Sequence, residues 1–218
     1  MAYWSERSEC LQRVQAKQQP DFSIGPRRAI TFDMFGDGIF NQDDAAWKSS
    51  RDMLRPHLHH KHYQSLDIFQ AAIDDLISII ESSTGTLDLQ PLFFRLTLDT
   101  TTAFLFGESV KSLVTPDSGE STFASAFDAG QKWVTKRFRL AGLYWLVNGK
   151  EWRQACKDVH DFADQLIDRN LALKKAGEEG FLHSIAEHSP NRTALRGQII
   201  NLLVAGRDTT ACLLSWTL

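Results

Sequence analysis

Gly206, Arg207, Asp208, Thr209 and Thr210 interrupt the apolar run Ile199–Leu218. A carboxylate in the middle of an apolar helix is costly unless it is paired or hydrogen-bonded. Adjacent threonines can turn their hydroxyls back onto the carbonyl one turn earlier, here Ala205 or Gly206, and bend the helix. Gly206 leaves room for another body to approach the backbone. Together these residues predict a local groove with a proton donor beside it. The plainer alternative puts Arg207 and Asp208 on a solvent face and gives the threonines no role.

Other groups could also do chemistry. Trp47 and Arg51 are spaced i, i+4 and so share a helical face. A planar, permanently charged guanidinium suits a carboxylate, and an ordinary surface cation–π contact is the alternative. His57, His59, His60 and His62 form a dense imidazole cluster whose spacing would allow a surface metal site. No carboxylate or thiol lies within it, which favours a cluster without metal. Gly36 and Gly38 suggest a flexible loop, followed by the apolar pair Ile39 and Phe40. Cys10, Cys156 and Cys212 form no CxxC pair, which fits packed, reduced thiols.

The elements that must position these groups are helical. Leu66, Phe69, Ile73, Leu76, Ile77 and Ile80 mark one buried face of a helix from about Gln64 to Ser83. After a TGT turn, Asp88 reads as an N-cap. Leu92, Phe93, Leu96, Ala103 and Phe104 then form a buried stripe, with Gly107 past its end. Phe123, Phe127, Val134 and Phe138 mark a third helix. Trp152, Cys156, Val159, Phe162, Ala163 and Leu166 mark a long fourth one. Gly177–Gly180 reads as a loop, and SPNR at Ser189–Arg192 as the entry to a last helix near Thr193. The fold class is mainly α.

The composition, 43% hydrophobic and 23% charged, is that of an ordinary soluble globular chain. A net charge of −3, with scattered Lys and Arg, argues against nucleic acid as a partner. The nearest approach to a basic cluster is Lys136–Arg139. No signal peptide or membrane-spanning run is legible, so the chain by itself reads as unanchored and cytoplasmic. The aromatic stretch Gly142–Trp152 fits either a membrane-interface contact or a buried elbow between helices.

Ala205-Gly-Arg-Asp-Thr-Thr210 resembles the central-helix motif A/G-G-x-D/E-T-T/S of cytochromes P450. Trp47-Lys-Ser-Ser-Arg51 resembles that family's W-x-x-x-R helix. The stretch from Phe35 to Pro56 resembles the G-x-G-I-F…W…R…RP stretch of its fungal microsomal members, and Arg95–Gly107 its D/E-x-x-x-x-LFG core helix. The four matches are collinear, and they point to the fungal alkane- and fatty-acid-hydroxylating kind.

The resemblance implies a partial cytochrome P450 domain over residues 21–218, with residues 1–20 unassigned. It implies haem b, with Trp47 and Arg51 at a propionate and Ala205, Gly206 and Thr209 bordering the group. Asp208 and Thr209 would be catalytic, relaying protons. Ile39, Phe40, Leu202 and Thr210 would line an apolar substrate site. Dioxygen and an NADPH-cytochrome P450 reductase would be the partners, on the cytosolic face of the endoplasmic reticulum.

The family's F-x-x-G-x-R-x-C-x-G thiolate loop and its E-x-x-R pair are absent from the sequence. The axial cysteine, and hence any metal ligand, is therefore expected outside this chain, whose run off an apolar helix at Leu218 reads as a truncation. Alone, it is expected to be inactive and marginally folded, exposing Leu202, Val204, Leu213 and Leu214. One alternative is a non-catalytic helical binding or interaction module derived from the same fold. Another is a dehydratase or isomerase on that fold, against which the intact Asp208–Thr209 pair argues.

Overall fold

The structure, a computed structural model, describes residues 23–58, 67–115, 119–172 and 181–217. Its described residues form eight α-helices and no strand, in agreement with the mainly α expectation. They are α1 (Arg27–Phe35), α2 (Asp44–Leu54), α3 (Asp67–Ser82), α4 (Leu89–Phe106), α5 (Gly119–Leu140), α6 (Lys150–Ala172), α7 (Phe181–His188) and α8 (Arg192–Thr217). Short 3-10 segments, Ile39–Asn41 and Ala141–Leu146, lead into α2 and join α5 to α6.

The ends of the central helices follow from local chemistry. Asp88 caps α4 by accepting from Gln90 N at 3.1 Å, and Gly107 closes it at φ 74°, a left-handed position that suits glycine. Asn191 caps α8, its Oδ1 accepting from Ala194 N at 2.9 Å. Helices α4 and α8 form the middle of the molecule, and they cross very closely. A Cβ built on Gly206 would lie 2.4 Å from Thr101 Oγ1, so a side chain there would collide with α4.

Around that crossing, Leu98, Phe127, Ile167, Ile185, Ile199 and Leu203 belong to the main core. A smaller cluster, including Ala72, Leu76, Leu92, Phe93, Leu96 and Ala211, lies between α3, α4 and α8. Asp99 ties α4 to the segment that follows it, accepting from Ser112 N at 2.6 Å, Ser112 Oγ at 2.8 Å and Leu113 N at 3.0 Å.

Several expectations need correction. The buried line of α3 is Ala72 and Leu76, whereas Phe69, Ile73, Ile77 and Ile80 are exposed. Small Ala72 lets α3 rest on α4 along a narrow line, and the rest of the apolar stripe lies beside that contact. Phe138 is exposed on α5, whereas Phe127 and Val134 are buried. Cys212 is an exposed rather than a packed thiol. Of the residues expected to be bared on α8, Leu213 is exposed, Leu202 is buried, and Val204 and Leu214 are half-buried.

The aromatic stretch is partly buried and partly exposed. Trp152 is buried at the elbow, while Leu143, Trp145 and Leu146 stand exposed on the 3-10 turn. Arg137, in the basic run, is itself buried. It donates to Asp33 at 2.8 Å and lies between the rings of Tyr144 and Trp152, at 5.0 and 4.8 Å. Residues 1–20, Cys10, His59, His60, His62, Leu66 and the Gly177–Gly180 loop lie outside the described residues, and the side chain of Phe123 is likewise not described. His57, the described member of the imidazole cluster, is within 2.9 Å of Ser184 Oγ through its Nε2.

Candidate functional site

Helix α8 carries the site, and its neighbours decide what each polar residue does. Arg207 is 2% exposed, which overturns the solvent-face alternative. Its guanidinium lies 4.7 Å from the Phe94 ring centre and 5.3 Å from that of Phe127. It donates from Nη1 to Asp208 Oδ1 at 2.8 Å and from Nη2 to Asp128 Oδ1 of α5 at 3.0 Å. A buried cation needs such pairing, because an unpaired charge in a low-dielectric interior is very costly.

Asp208 completes the cluster by accepting from Gln131 Nε2, also on α5. Burial pushes its carboxyl above the usual aspartate range, and the nearby Arg207 cation and the Gln131 hydrogen bond oppose that rise. The result is a mostly buried acid held by two helices and able to keep a proton at higher pH than a surface aspartate.

Thr209 turns outward. Its exposed hydroxyl donates to Ala205 O at 2.7 Å, the back-bond expected from the sequence. Thr210 is also exposed, and Ala205 and Gly206 are half-buried. The body that approaches the Gly206 backbone is α4, through Thr101, so the missing side chain sets a helix crossing on that side. Thr209 shares its face with Cys212, Leu213 and Trp216, at steps of three and four residues. Leu213 is 66% exposed and Trp216 89%.

On α2 the guanidinium of Arg51 lies 5.6 Å from the Trp47 ring centre, so the pair does share one face. The Arg51 side chain is half-exposed, with Asp52 at 4.0 Å as a marginal ion-pair partner. That leaves a pre-oriented cation available to an external carboxylate.

The glycine loop differs from expectation. Gly36 to Asn41 is pinned against α8, and the glycines serve close backbone approach rather than flexibility. A Cβ on Gly38 would sit 2.4 Å from the Asn201 side chain and 2.6 Å from Gly197 O. Ile39 N donates to Gln198 Oε1 at 3.1 Å, and Phe40 N to Asn201 Oδ1 at 2.9 Å. Ile39 is half-buried, Phe40 is exposed at its tip, and Leu202 is buried in the core beside Asn201.

The structure therefore brings Ile39 and Phe40 to α8 directly. Trp47 and Arg51 connect to it through Ser50, whose Oγ accepts from Gln198 Nε2 at 2.6 Å. Thr209 lies eleven residues beyond Gln198 on the same helix, about 16 Å along its axis. Asp128, Gln131, Gln198, Asn201 and Ser50 were not singled out from the sequence. Gln198 and Asn201 did carry a signal, since amides spaced by three in an apolar run must find partners when buried.

The described cysteines differ in placement. The buried Cys156 thiol is pushed up to about 12, by burial first and the Asp33 charge second, and stays protonated. Cys212 lies exposed one turn beyond Thr209 on α8. Among the described residues no group of three or more potential metal ligands forms, and no helix is long and apolar enough to cross a membrane.

The cytochrome P450 family model matches residues 5–218. Cytochrome P450 52A4 of Candida maltosa is 40% identical over 224 residues, covering 95% of this chain and 42% of that protein. Cytochrome P450 52A1 of Candida tropicalis is 40% identical over 225 residues, covering 95% and 41%. A cytochrome P450 of Arthroderma benhamiae is 42% identical over 194 residues, covering 84% and 39%. The chain spans about two fifths of the length of the curated relatives it matches.

Proposed function

Because this chain belongs to the cytochrome P450 family, we propose that it forms part of a haem-thiolate monooxygenase that inserts one oxygen atom from dioxygen into an apolar substrate of the alkane or fatty-acid kind. The observation that carries this reading is the adjacent placement on α8 of a mostly buried, charge-braced acid, Asp208, and an outward hydroxyl, Thr209, anchored on Ala205.

Haem b, when bound, supplies the dioxygen chemistry with two electrons from an NADPH-cytochrome P450 reductase. The residues present fit its periphery. Arg51, held over Trp47 and half-exposed, suits a propionate. Ala205 and Thr209 border the group, with Gly206 behind them letting α4 close on α8. Neither described cysteine suits the axial position: Cys156 is a buried neutral thiol and Cys212 lies on the α8 face itself. The thiolate comes from elsewhere in the full-length protein.

The chain's own residues then divide the work. Ile39, Phe40 and Thr210 border the substrate, with Leu202 packed behind them. The Asp208 carboxyl would hold a proton, give it up by way of Thr209 Oγ1 toward the substrate site, and take another from solvent. Arg207 and Gln131 keep the carboxylate in place between transfers. The exposed Leu143, Trp145 and Leu146 suit the membrane interface on the cytosolic face of the endoplasmic reticulum.

The test is the carbon-monoxide difference spectrum of the reduced full-length protein. The Soret band of a haem-thiolate complex is expected, and an Arg51→Ala variant should weaken haem retention. A full-length protein with no such band would refute the proposal.

A further inference from the structure

Two amides on the buried side of α8 bond beyond their own helix. Gln198 is 4% exposed and Asn201 1%. Gln198 Oε1 accepts from Ile39 N at 3.1 Å, while its Nε2 donates to Ser50 Oγ at 2.6 Å. Ser50 Oγ in turn donates to Gln42 Oε1 at 2.5 Å, and Gln42 Nε2 donates to Asp37 O at 3.3 Å. Asn201 Oδ1 accepts from Phe40 N, and its Nδ2 donates to Phe35 O at 2.9 Å and Gly197 O at 2.8 Å. The loop between α1 and α2 is thus fastened to α8 by side-chain bonds at Phe35, Ile39 and Phe40.

The glycines remove the slack that hydrogen bonds alone would leave. A Cβ on Gly197 would stand 2.8 Å from Asp37 N, so the loop backbone lies directly on the helix backbone. At the far end Asn41 is buried. Its Oδ1 accepts from Thr31 Oγ1 at 2.8 Å, and its Nδ2 donates to Gly36 O at 3.0 Å. The amide N–H groups of Ile39 and Phe40 are both held, while the Phe40 side chain stays exposed.

We infer that Gln198 and Asn201 are positioning residues that hold Ile39 and Phe40 as a rigid wall of the substrate site, and so determine which carbon of an apolar chain is oxidised. The inference rests on the monooxygenase reading and deepens it. A wall carried on a mobile loop would yield to the substrate. One fastened to the helix that also carries Asp208 and Thr209 fixes substrate depth relative to the reacting groups. Fixed geometry of this kind is what separates near-equivalent positions on an otherwise featureless chain.

The experiment uses the full-length protein with haem and reductase, and dodecanoic acid as probe. Gln198→Met and Asn201→Leu keep side-chain size and remove the acceptors for Ile39 N and Phe40 N. Ser50→Ala cuts the ring at its α2 end and leaves the Ile39 bond in place. Gln198→Glu retains an acceptor for Ile39 N and is the conservative counterpart of Gln198→Met, so that comparison stands even where Asn201→Leu fails to fold.

The expected result is a change of about tenfold in the ratio of terminal to in-chain hydroxylation in the first two variants, the size typical of a displaced apolar contact. Ser50→Ala and Gln198→Glu should keep a ratio near wild type even where Tm falls. A lowered Tm with an unchanged product ratio in Gln198→Met would overturn the inference and leave the amides purely structural. A full-length protein without a haem-thiolate Soret band would instead overturn the monooxygenase reading beneath it, so the two failures are distinguishable.

Discussion

The two halves of α8 meet the same physical problem, polar groups in an apolar helix, and solve it differently. In the first half, Gln198 and Asn201 are neutral amides that bond to the backbone of a neighbouring loop. In the second, Arg207 and Asp208 are charges bonded to each other and to α5. Neutral amides give fixed geometry without a titrating group. The charged half costs more to bury but leaves a carboxyl whose protonation can change. The helix thus combines a neutral strut with a segment that carries a titratable carboxyl, and Gly206, against Thr101, lies in the second half just before the charge cluster.

Breaking the charged half should have the largest effect on stability. Arg207→Met leaves Asp208 and Asp128 without their shared cation and is expected to cost about 3 kcal/mol, the lower end for breaking a buried ion pair. Urea denaturation measures it. Breaking the neutral half should cost somewhat less. Gly38→Ala forces a Cβ against the Asn201 side chain and Gly197 O, and about 2 kcal/mol is expected for such overpacking. The ranking would be reversed if Arg207 proved replaceable and Gly38 did not.

Titration sharpens the same contrast. The folded-state pKa of Asp208 is raised by burial, so the folded chain binds a proton more tightly than the unfolded one. Its contribution is therefore fully present at low pH and is lost as pH rises from the ordinary aspartate value through the raised one. Asp208→Asn should flatten that slope in a denaturation series. His160 has the opposite sign. Burial first, and the Arg196 cation second, lower its pKa, so stability should be lost as pH falls through the ordinary histidine value toward the lowered one. His160→Gln should remove that second slope and leave the first intact.

The smallest perturbation is chemical. Alkylation followed by peptide mass mapping is expected to label the exposed Cys212 rapidly and the buried Cys156 slowly, with little effect on stability from the first. Equal rates would mean that the core around α6 opens as readily as the end of α8.

What could be read from the sequence follows from range. Helix caps are local, and Asp88, Gly107 and the entry to α8 stand where residue type put them. The Thr209 back-bond and the Trp47–Arg51 pairing are also contacts within one turn, and both are present. Partners far apart in sequence were not legible. Nothing near Arg207 indicates that Asp128 will meet it, and periodicity alone could not show that α3 would use only Ala72 and Leu76 of its apolar stripe. Gly36 and Gly38 differ from the flexible-loop expectation for the same reason. Their value lies in Gly197 and Asn201, more than 150 residues away.

Proton delivery by Asp208 and Thr209, as proposed, is read most directly from coupling. In the full-length protein, product formed per NADPH consumed would be compared for wild type, Thr209→Ala and Asp208→Asn. With the haem-thiolate Soret band intact, both variants are expected to keep consuming NADPH while product formation falls by about a hundredfold in Asp208→Asn, the lower end of a general-acid contribution. Variants that retain haem and keep wild-type coupling would contradict the claim, and would leave the charged half of α8 as structure alone.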